Sequence, residues 1–205
     1  MYLNIHPQNP EPRKLEQVVK CLEKNGVIIY PTDSVYAIGC DMRNPKAIEK
    51  LGNIRKIDAR DALFSLVCKD MSQASAFLAP ISTVIYRAIK QHTPGPFTFI
   101  LPASPAITKL FDKKRKTIGI RFPDNPIVLA MLDRLGSPLL TTSLHSETDE
   151  IQEYYVDPED IKNDFQHKVD MIIDGGVGGN IPSTLVDCSS DEIIILRQGL
   201  GVWTD

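Results

Sequence analysis

The sequence has little that would support covalent cross-links, membrane insertion or a general attraction to polyanions. Its cysteines, Cys21, Cys40, Cys68 and Cys188, show no Cys-x-x-Cys pair, which argues against a disulfide framework or a zinc site and favours a reducing compartment. No apolar run approaches the roughly 18 residues of a membrane-spanning helix, and residues 1–12 lack the pattern of a secretory signal. The formal net charge is only -3, so anion binding would need local clusters of basic residues. We therefore expect a cytoplasmic protein without a membrane partner.

The chain also lacks the common signatures of nucleophilic and metal-dependent catalysis. No Ser/His/Asp arrangement and no metal-ligand spacing is present, and the histidines are scattered. The glycine-rich run at residues 175–179 matches neither GxGxxG nor a P-loop; it could cradle a phosphate, or it could be a flexible turn. The sequence shows no obvious nucleophile and leaves the catalytic side chains unknown, and it predicts no metal site. A site in this chain would position anions with Arg, Lys and hydroxyl groups.

Helical and strand patterns alternate along the 205 residues. Helices are predicted at 11–26, 45–51, from Ser72, at 82–91, at 126–135 and after the capping residue Asp157. Strands are predicted at 27–30, 63–68, 97–101, 117–122, 138–142, 169–173, 184–186 and 193–196. This alternation, with some strands joined by tight turns, predicts a single α/β domain over residues 1–205. Its core would be a twisted mixed parallel and antiparallel sheet flanked by helices.

Three short polar residues follow the apolar strand at 27–30. Pro31 breaks the strand, and Thr32, Asp33 and Ser34 come directly after it. Because open α/β sheets place their ligands at the carboxyl ends of strands, these side chains are candidate binding groups. Helix capping or turn formation by the same residue types is the alternative. Further hydroxyl clusters stand at predicted strand ends at 141–143 and 182–184.

Basic residues cluster in two regions. Arg55, Lys56 and Arg60 lie in one predicted loop, and the basic run at 113–116 could equally be a solvated turn. Arg121 ends an apolar strand and precedes Phe-Pro, so we expect its guanidinium to be fixed near a sheet edge. Its planar fork suits a carboxylate or a phosphate. A structural ion pair is the alternative for Arg121.

Several segments, taken in chain order, resemble the YrdC-like family, whose best-known members are threonylcarbamoyl-AMP synthases. They are Tyr-Pro-Thr-Asp-Ser-Val-Tyr at 30–36, Thr-Pro-Gly-Pro-Phe-Thr at 93–98, Lys-Thr-Ile-Gly-Ile-Arg-Phe-Pro at 116–123, Ser-Pro-Leu-Leu-Thr-Thr-Ser at 137–143, and the segments at 169–176, 182–187 and 196–199. They cover nearly the whole chain, and the run at 114–121 looks most like the YciO branch. The resemblance implies a YrdC/RibB-like fold with a concave, positively charged cavity.

The resemblance also implies ATP-dependent chemistry. Active members of the family convert ATP, L-threonine and bicarbonate to threonylcarbamoyl-AMP and pyrophosphate, with Mg²⁺ accompanying the ATP. The product feeds the threonylcarbamoyl modification of an adenosine next to the tRNA anticodon, and double-stranded RNA binding is also attributed to the family. We therefore expect an L-threonylcarbamoyladenylate synthase-type nucleotidyltransferase, with RNA or tRNA-modification proteins as further partners. The alternative is a non-catalytic or differently specific paralogue that binds nucleotide or double-stranded RNA.

Site residues follow from the resemblance position by position. The substrate side is expected at Thr32 and Ser34, on the loop that meets threonine, at Arg121, which would meet the substrate carboxylate, and at Thr141 and Ser183. The nucleotide side is expected at Arg55, Lys56, Arg60, Thr117, Ser143, His145 and Arg197.

Three positions depart from the family pattern. The family's Ser-x-Asn is Ser-Leu-His at 143–145, so an imidazole replaces an amide. Its Lys-x-Arg pair has several alignments on residues 55–60, and the Gly after the loop tyrosine is Ala37. The first two departures fall on the nucleotide side. The acidic stretch at 147–160 could be a lid or a solvated loop.

Overall fold

Helices and strands alternate in the computed structural model, which describes residues 1–59, 62–111, 116–145 and 154–204. The helices of these ranges are α1 (Pro12–Glu23), α2 (Pro45–Ile54), α3 (Met71–Ser75), α4 (Thr83–Gln91), α5 (Pro105–Leu110), α6 (Pro126–Leu135) and α7 (Pro158–Phe165). The strands are β1 (Tyr2–Asn4), β2 (Val27–Tyr30), β3 (Ala37–Asp41), β4 (Ser65–Val67), β5 (Phe97–Pro102), β6 (Thr117–Arg121), β7 (Leu139–Ser143), β8 (Met171–Asp174), β9 (Thr184–Asp187) and β10 (Ile194–Arg197).

All the strands of the described ranges belong to one sheet, in the order β1-β8-β2-β3-β7-β4-β6-β5-β9-β10. The pairs β1–β8, β2–β8, β4–β6 and β5–β9 are parallel, and the pairs β2–β3, β3–β7, β4–β7, β5–β6 and β9–β10 are antiparallel. The predicted α/β fold with a mixed sheet flanked by helices is confirmed. In the part of the chain that the structure describes, no helix combines the length and the apolar character needed to cross a membrane.

The two faces of the sheet carry separate apolar cores. One face packs against α2, α4 and α7, with Ile38 and Leu140 fully buried between the layers. The other face packs against α1 and α6, whose Leu15 and Met131 belong to the same buried apolar cluster as the β2 residue Ile28. Because successive side chains of a strand point to opposite faces, each core takes alternate residues of the same strands.

The second face changes character along the sheet. The strand registers place Thr141 on β7, Ser65 on β4 and Gly119 on β6 on the same face of the sheet as Ile28. The same face continues to Leu185 on β9. This face is therefore apolar beneath α1 and α6 and mostly polar beyond β7. The polar half forms the floor of the candidate site.

Helix α6 shows how closely local signals set the boundaries. Asn125 precedes the helix, and its side-chain oxygen accepts the N–H groups of Ile127 (3.0 Å) and Val128 (3.2 Å). Pro126 occupies the first helical position, and Gly136 ends the helix with φ of 69°. The predicted range 126–135 is confirmed.

Several elements differ from the prediction. The helix predicted to be opened by Ser72 begins at Met71, and Asp70 caps it by accepting the N–H of Gln73 at 2.8 Å, so the prediction that Ser72 opens this helix is wrong. The strands β1 and β3 and the helix α5 were not predicted.

Candidate functional site

A cavity of about 340 Å³ lies on the polar half of the sheet. Its lining consists of Leu63, Ser65, Thr98, Arg121, Thr141, Thr142, Ser143, His145, Tyr154, Ser183, Leu185 and Arg197. The predicted site residues among them are Arg121, Thr141, Ser143, His145, Ser183 and Arg197. Hydroxyl groups and arginines from β4, β5, β6, β7 and β10 thus converge on one space. The role of each in binding stays a prediction.

Arg121 at the end of β6 is tied to the loop that follows β2. Its Nη2 donates to the hydroxyl of Ser34 at 2.8 Å and to a carboxylate oxygen of Asp33 at 3.0 Å. The other carboxylate oxygen of Asp33 accepts the backbone N–H of Asp124 at 3.0 Å. The side chains of Arg121 and Asp33 are 5% and 6% exposed, so this ion pair is buried. Arg121 therefore forms a structural ion pair, which was the alternative interpretation of this residue. The fold also brings Ser34 beside Arg121.

Two nitrogens of Arg121, Nε and Nη1, take no part in this network. Within the described ranges, Nε of Arg121 is buried and has no hydrogen-bond partner. A buried donor without a partner costs about 1–3 kcal/mol. Arg121 also lines the cavity, so its guanidinium could bind a carboxylate or phosphate oxygen of a ligand.

Thr32 shapes the loop that carries Ser34. Its hydroxyl accepts the N–H of Ser34 at 3.1 Å and donates to the carbonyl of Val35 at 2.7 Å. Thr32 therefore stabilises a turn, which was the alternative interpretation of this residue. Its hydroxyl oxygen also lies 3.3 Å from that of Ser34, so Thr32 fixes the hydroxyl that accepts from Arg121.

Thr141 lies in the cavity wall above a buried tyrosine. The hydroxyl of Tyr30 donates to Oγ1 of Thr141 at 2.9 Å, and Thr141 donates to the carbonyl of Ile38 at 3.0 Å. Burial raises the pKa of Tyr30 to about 12, so its hydroxyl keeps its proton at neutral pH. The hydroxyl proton of Thr141 is thus donated to the backbone carbonyl of Ile38, and the hydroxyl oxygen is held in a fixed position.

Ser183 and Arg197 form the opposite wall. The hydroxyl of Ser183 lies 2.7 Å from that of Thr98 on β5, and Nη2 of Arg197 donates to the carbonyl of Ser183 at 2.9 Å. Arg197 reaches the cavity from β10, the last strand of the sheet. This wall therefore depends on the pairing of β5, β9 and β10.

His145 is held by an arginine from a distant part of the chain. Nη2 of Arg55 lies 2.9 Å from Nε2 of His145. A guanidinium only donates hydrogen bonds, so Nε2 of His145 acts as the acceptor. The ring of His145 also stands perpendicular to that of Tyr154, with centroids 6.2 Å apart. The imidazole at this departure from the family pattern thus has a defined orientation.

Two of the remaining predicted site residues, Lys56 and Thr117, lie apart from Arg121. Lys56 lines a different cavity, of about 800 Å³, next to α2, where Glu49 and Asp58 also lie. Thr117 shares the face of Arg121 but stands at the other end of β6. Arg60 lies outside the described residues, as do residues 113–115 and residues 147–153 of the acidic stretch at 147–160.

Some lining residues were not predicted, namely Leu63, Ser65, Thr98, Thr142, Tyr154 and Leu185. Thr142 belongs to the hydroxyl cluster at 141–143 but had no assigned role. For Ser65 and Thr98 the available signal is alternation, since each is a small hydroxyl residue among apolar neighbours on a strand. Gly119 adds to this signal, because a side chain there would meet the hydroxyl of Ser65. Across the described ranges, no group of three or more His, Cys, Asp and Glu residues could hold a metal ion.

The fold and the cavity define a mixed α/β protein in which arginines and hydroxyl groups surround a small-molecule-sized space. The chain belongs to the Sua5/YciO/YrdC family, since the model of that family, described as telomere recombination, matches residues 20–199.

Relatives within the family differ in what is known of them. An uncharacterized protein of Escherichia coli, YciO, is 42% identical over 202 residues, which covers 98% of this chain and 96% of the relative. The crystal structure of E. coli YciO matches with a TM-score of 0.89 at 40% identity, over 98% of this chain and 97% of that one. A threonylcarbamoyl-AMP synthase of Vibrio vulnificus is 30% identical over 188 residues, covering 90% of this chain and 98% of the enzyme.

A more distant structure shares the fold. Sua5 of P. abyssi, crystallised with L-threonine, matches with a TM-score of 0.86 at 21% identity, over 97% of this chain and 57% of the Sua5 chain.

Proposed function

We propose that this protein catalyses the threonylcarbamoyl-AMP synthase-type reaction, in which ATP, L-threonine and bicarbonate give threonylcarbamoyl-AMP and pyrophosphate. The observation that carries the proposal is Arg121, which lines the cavity and is held in place through Nη2 by Asp33 and Ser34, while its Nε has no partner in the described ranges. A guanidinium with donors left over is suited to a ligand that brings a carboxylate. The product would serve the threonylcarbamoyl modification of tRNA.

The amino-acid half of the site would be centred on Arg121 and Ser34. The ion pair with Asp33 holds the guanidinium in place, so little side-chain entropy would be lost when a carboxylate binds. The threonine complex of Sua5 and the synthase activity of the V. vulnificus relative support an amino-acid substrate here. The role of this half would be to bind and orient L-threonine.

The nucleotide half would use Ser143 and Arg197. In the reaction, the amino group of threonine takes up bicarbonate with loss of water, and the resulting carbamate oxygen displaces pyrophosphate from the α-phosphate of ATP. Hydroxyl and guanidinium donors around the phosphates would stabilise the developing charge. The described lining contains no carboxylate, so Mg²⁺ would arrive with ATP and be held mainly by phosphate oxygens.

The test is pyrophosphate release by the purified protein with ATP and Mg²⁺, with and without L-threonine and bicarbonate. We expect release that requires all three substrates, and mass spectrometry should detect threonylcarbamoyl-AMP. L-Valine, which has the shape of threonine without its hydroxyl group, is the matched control for the amino acid. Absence of release, or release that is independent of threonine, contradicts the proposal.

A second candidate is a paralogue that binds nucleotide or double-stranded RNA without turnover. The contact between Arg55 and His145 favours it, because an arginine expected to grip phosphates is engaged with a side chain of the protein. The position of Lys56 in the other cavity also favours this candidate. ATP binding measured by calorimetry without pyrophosphate release would support this candidate. RNA binding should weaken with salt by roughly one log–log slope unit per phosphate contact.

A further inference from the structure

The two edge strands of the sheet are protected to very different degrees. At one edge, β1 has only three residues, and its side chains are tied down. The hydroxyl of Tyr2 and the amide of Asn4 donate to the same carboxylate oxygen of Asp174, at 3.0 and 2.8 Å. The ammonium group of Lys162 lies 4.8 Å from the centre of the Tyr2 ring. A short, polar and partly covered edge offers a poor template for another strand.

The opposite edge, β10, is apolar and exposed. Ile194, Ile195 and Leu196 follow one another and are 49%, 42% and 52% exposed. In the described ranges, β9 is the only strand that pairs with β10. Because the three side chains are consecutive, apolar surface is exposed on both faces of this edge. An exposed apolar edge strand is a site for pairing with another chain.

The protective features of natural edges are weak in β10. It contains no proline and no lysine, and its bulge falls between Ile195 and Arg197, in the second half of this four-residue strand. The register with β9 is regular at Ile194 and Ile195. The first half of the strand is therefore free of irregularities that would hinder pairing.

The charges that flank β10 are arranged for self-pairing. Asp191 and Glu192 precede the apolar residues, and Arg197 follows them. In an antiparallel pair of two β10 strands related by a two-fold axis at Ile194, this residue lies opposite its own copy. Arg197 of each chain then lies alongside Asp191 of the other or, where the bulge shifts the register by one residue, alongside Glu192. Opposite charges across a strand pair are favourable.

We propose that β10 is a homodimer interface, at which two copies of this chain pair antiparallel and join their sheets into one. The arrangement is isologous, since the same residues of both copies meet around the two-fold axis. The reversal of charge sign along β10 makes it complementary to itself, which favours a second copy over a strand of another protein. A strand pair buries little surface, so the dimer is concentration-dependent.

The oligomeric state tests this interface. Sedimentation velocity over a concentration series should show a dimer fraction that rises with the protein concentration. Ile195→Lys places two ammonium groups close together at the axis and should weaken dimerisation at least about tenfold, since like charges opposite each other destabilise a strand pair. Ile195→Thr keeps β propensity, should fold normally and should have an intermediate effect. Val177→Lys, at a position that is 81% exposed but off the strand, is the matched control.

Cross-linking tests the register. Residues opposite each other in an antiparallel pair have Cα atoms about 4.5–5.5 Å apart, which is within the range of a disulfide. Ile194→Cys should therefore form a covalent dimer on oxidation, whereas Val177→Cys should not. A wild-type protein that is monomeric throughout the series overturns the proposal. So does a dimer that survives Ile195→Lys, or equal cross-linking of both cysteine variants.

Discussion

In the proposed function, Arg121 would combine two roles that are usually performed by different side chains. Through Nη2 it joins the loop after β2 to the end of β6, and its guanidinium would also bind the substrate carboxylate. The structural role would support the binding role, because the ion pair with Asp33 fixes the direction of the guanidinium. Substitutions of the two residues should therefore have separable effects.

Arg121→Lys should weaken L-threonine binding while leaving a positive charge in place. Lysine is a point charge and cannot reproduce the planar fork, so a charge-assisted hydrogen bond of about 1.5–3 kcal/mol is lost. Isothermal titration calorimetry with L-threonine measures the change. Arg134→Lys, on the exposed surface of α6, is the control and should bind as the wild type does. Unchanged affinity in Arg121→Lys would show that the carboxylate does not bind at Arg121.

Asp33→Ala should lower the stability of the fold. It leaves the buried guanidinium of Arg121 without its charge partner and removes the acceptor of the Asp124 N–H, and breaking a buried pair in this way costs about 3–5 kcal/mol. Urea unfolding measures the loss. Asp124→Ala is the matched control, because it removes an exposed neighbouring carboxylate and keeps the backbone N–H. A loss no greater than that of the control would mean that Asp33 contributes little.

At the scale of the elements, the two asparagines that precede helices provide a matched pair. Asn125 caps α6 through its side chain, whereas the side chain of Asn44 makes no capping hydrogen bond at α2, and both helices begin with proline. Asn125→Ala should therefore cost about 1 kcal/mol, and Asn44→Ala distinctly less. Urea unfolding of both variants checks the difference. Equal losses would show that the cap of α6 does not contribute through its side chain.

The sequence specifies elements whose signals are local. Helix α6 carries a cap, a first-position proline and a terminal glycine, so its bounds could be predicted to the residue. Strand β3 could not, because Ala-Ile-Gly-Cys-Asp has no alternation to detect. Both neighbours of β3, β2 and β7, pair with it, and all its residues are buried. Strand β1 is three residues long, too short for any periodic pattern.

The candidate site also combines features that local sequence signals predict with features that they do not predict. Hydroxyl groups at strand ends and an arginine after an apolar strand can be found in the sequence, and the family resemblance assigns them expected roles. The contact between Arg121 and Ser34 joins residues 87 positions apart, and that between Arg55 and His145 spans 90 positions. Such contacts arise from the order of strands in the sheet, which local patterns do not encode. The separation of Lys56 from Arg121 was unpredictable for the same reason.

At the scale of the whole molecule, stability should fall at alkaline pH. The pKa of Tyr30 is raised from 10.0 to about 12 by burial, so between these values the unfolded chain releases a proton that the native chain retains. The stabilisation is complete below about pH 10 and is lost as the pH rises through about 12, with a slope of about 1.4 kcal/mol per pH unit for one proton. Urea unfolding across this range should show the decline.

Tyr30→Phe should reduce this alkaline slope, since phenylalanine has no proton to lose. Tyr86→Phe, at an exposed position on α4, is the control and should retain the wild-type slope. Identical slopes in all three proteins would exclude Tyr30 as a source of the decline.

The change of character along one face of the sheet separates two kinds of evolutionary constraint. Beneath α1 and α6, a substitution alters a packed apolar core, and most changes there lower the stability of the fold. Beyond β7, the same layer of strands presents small polar side chains to a cavity, where exchanges alter ligand contacts with less effect on the core. A family built on this plan can diversify its substrates at one end of the sheet while the other end preserves the fold. Chains that share the architecture closely can therefore differ in chemistry, and activity in such a family has to be established for each member.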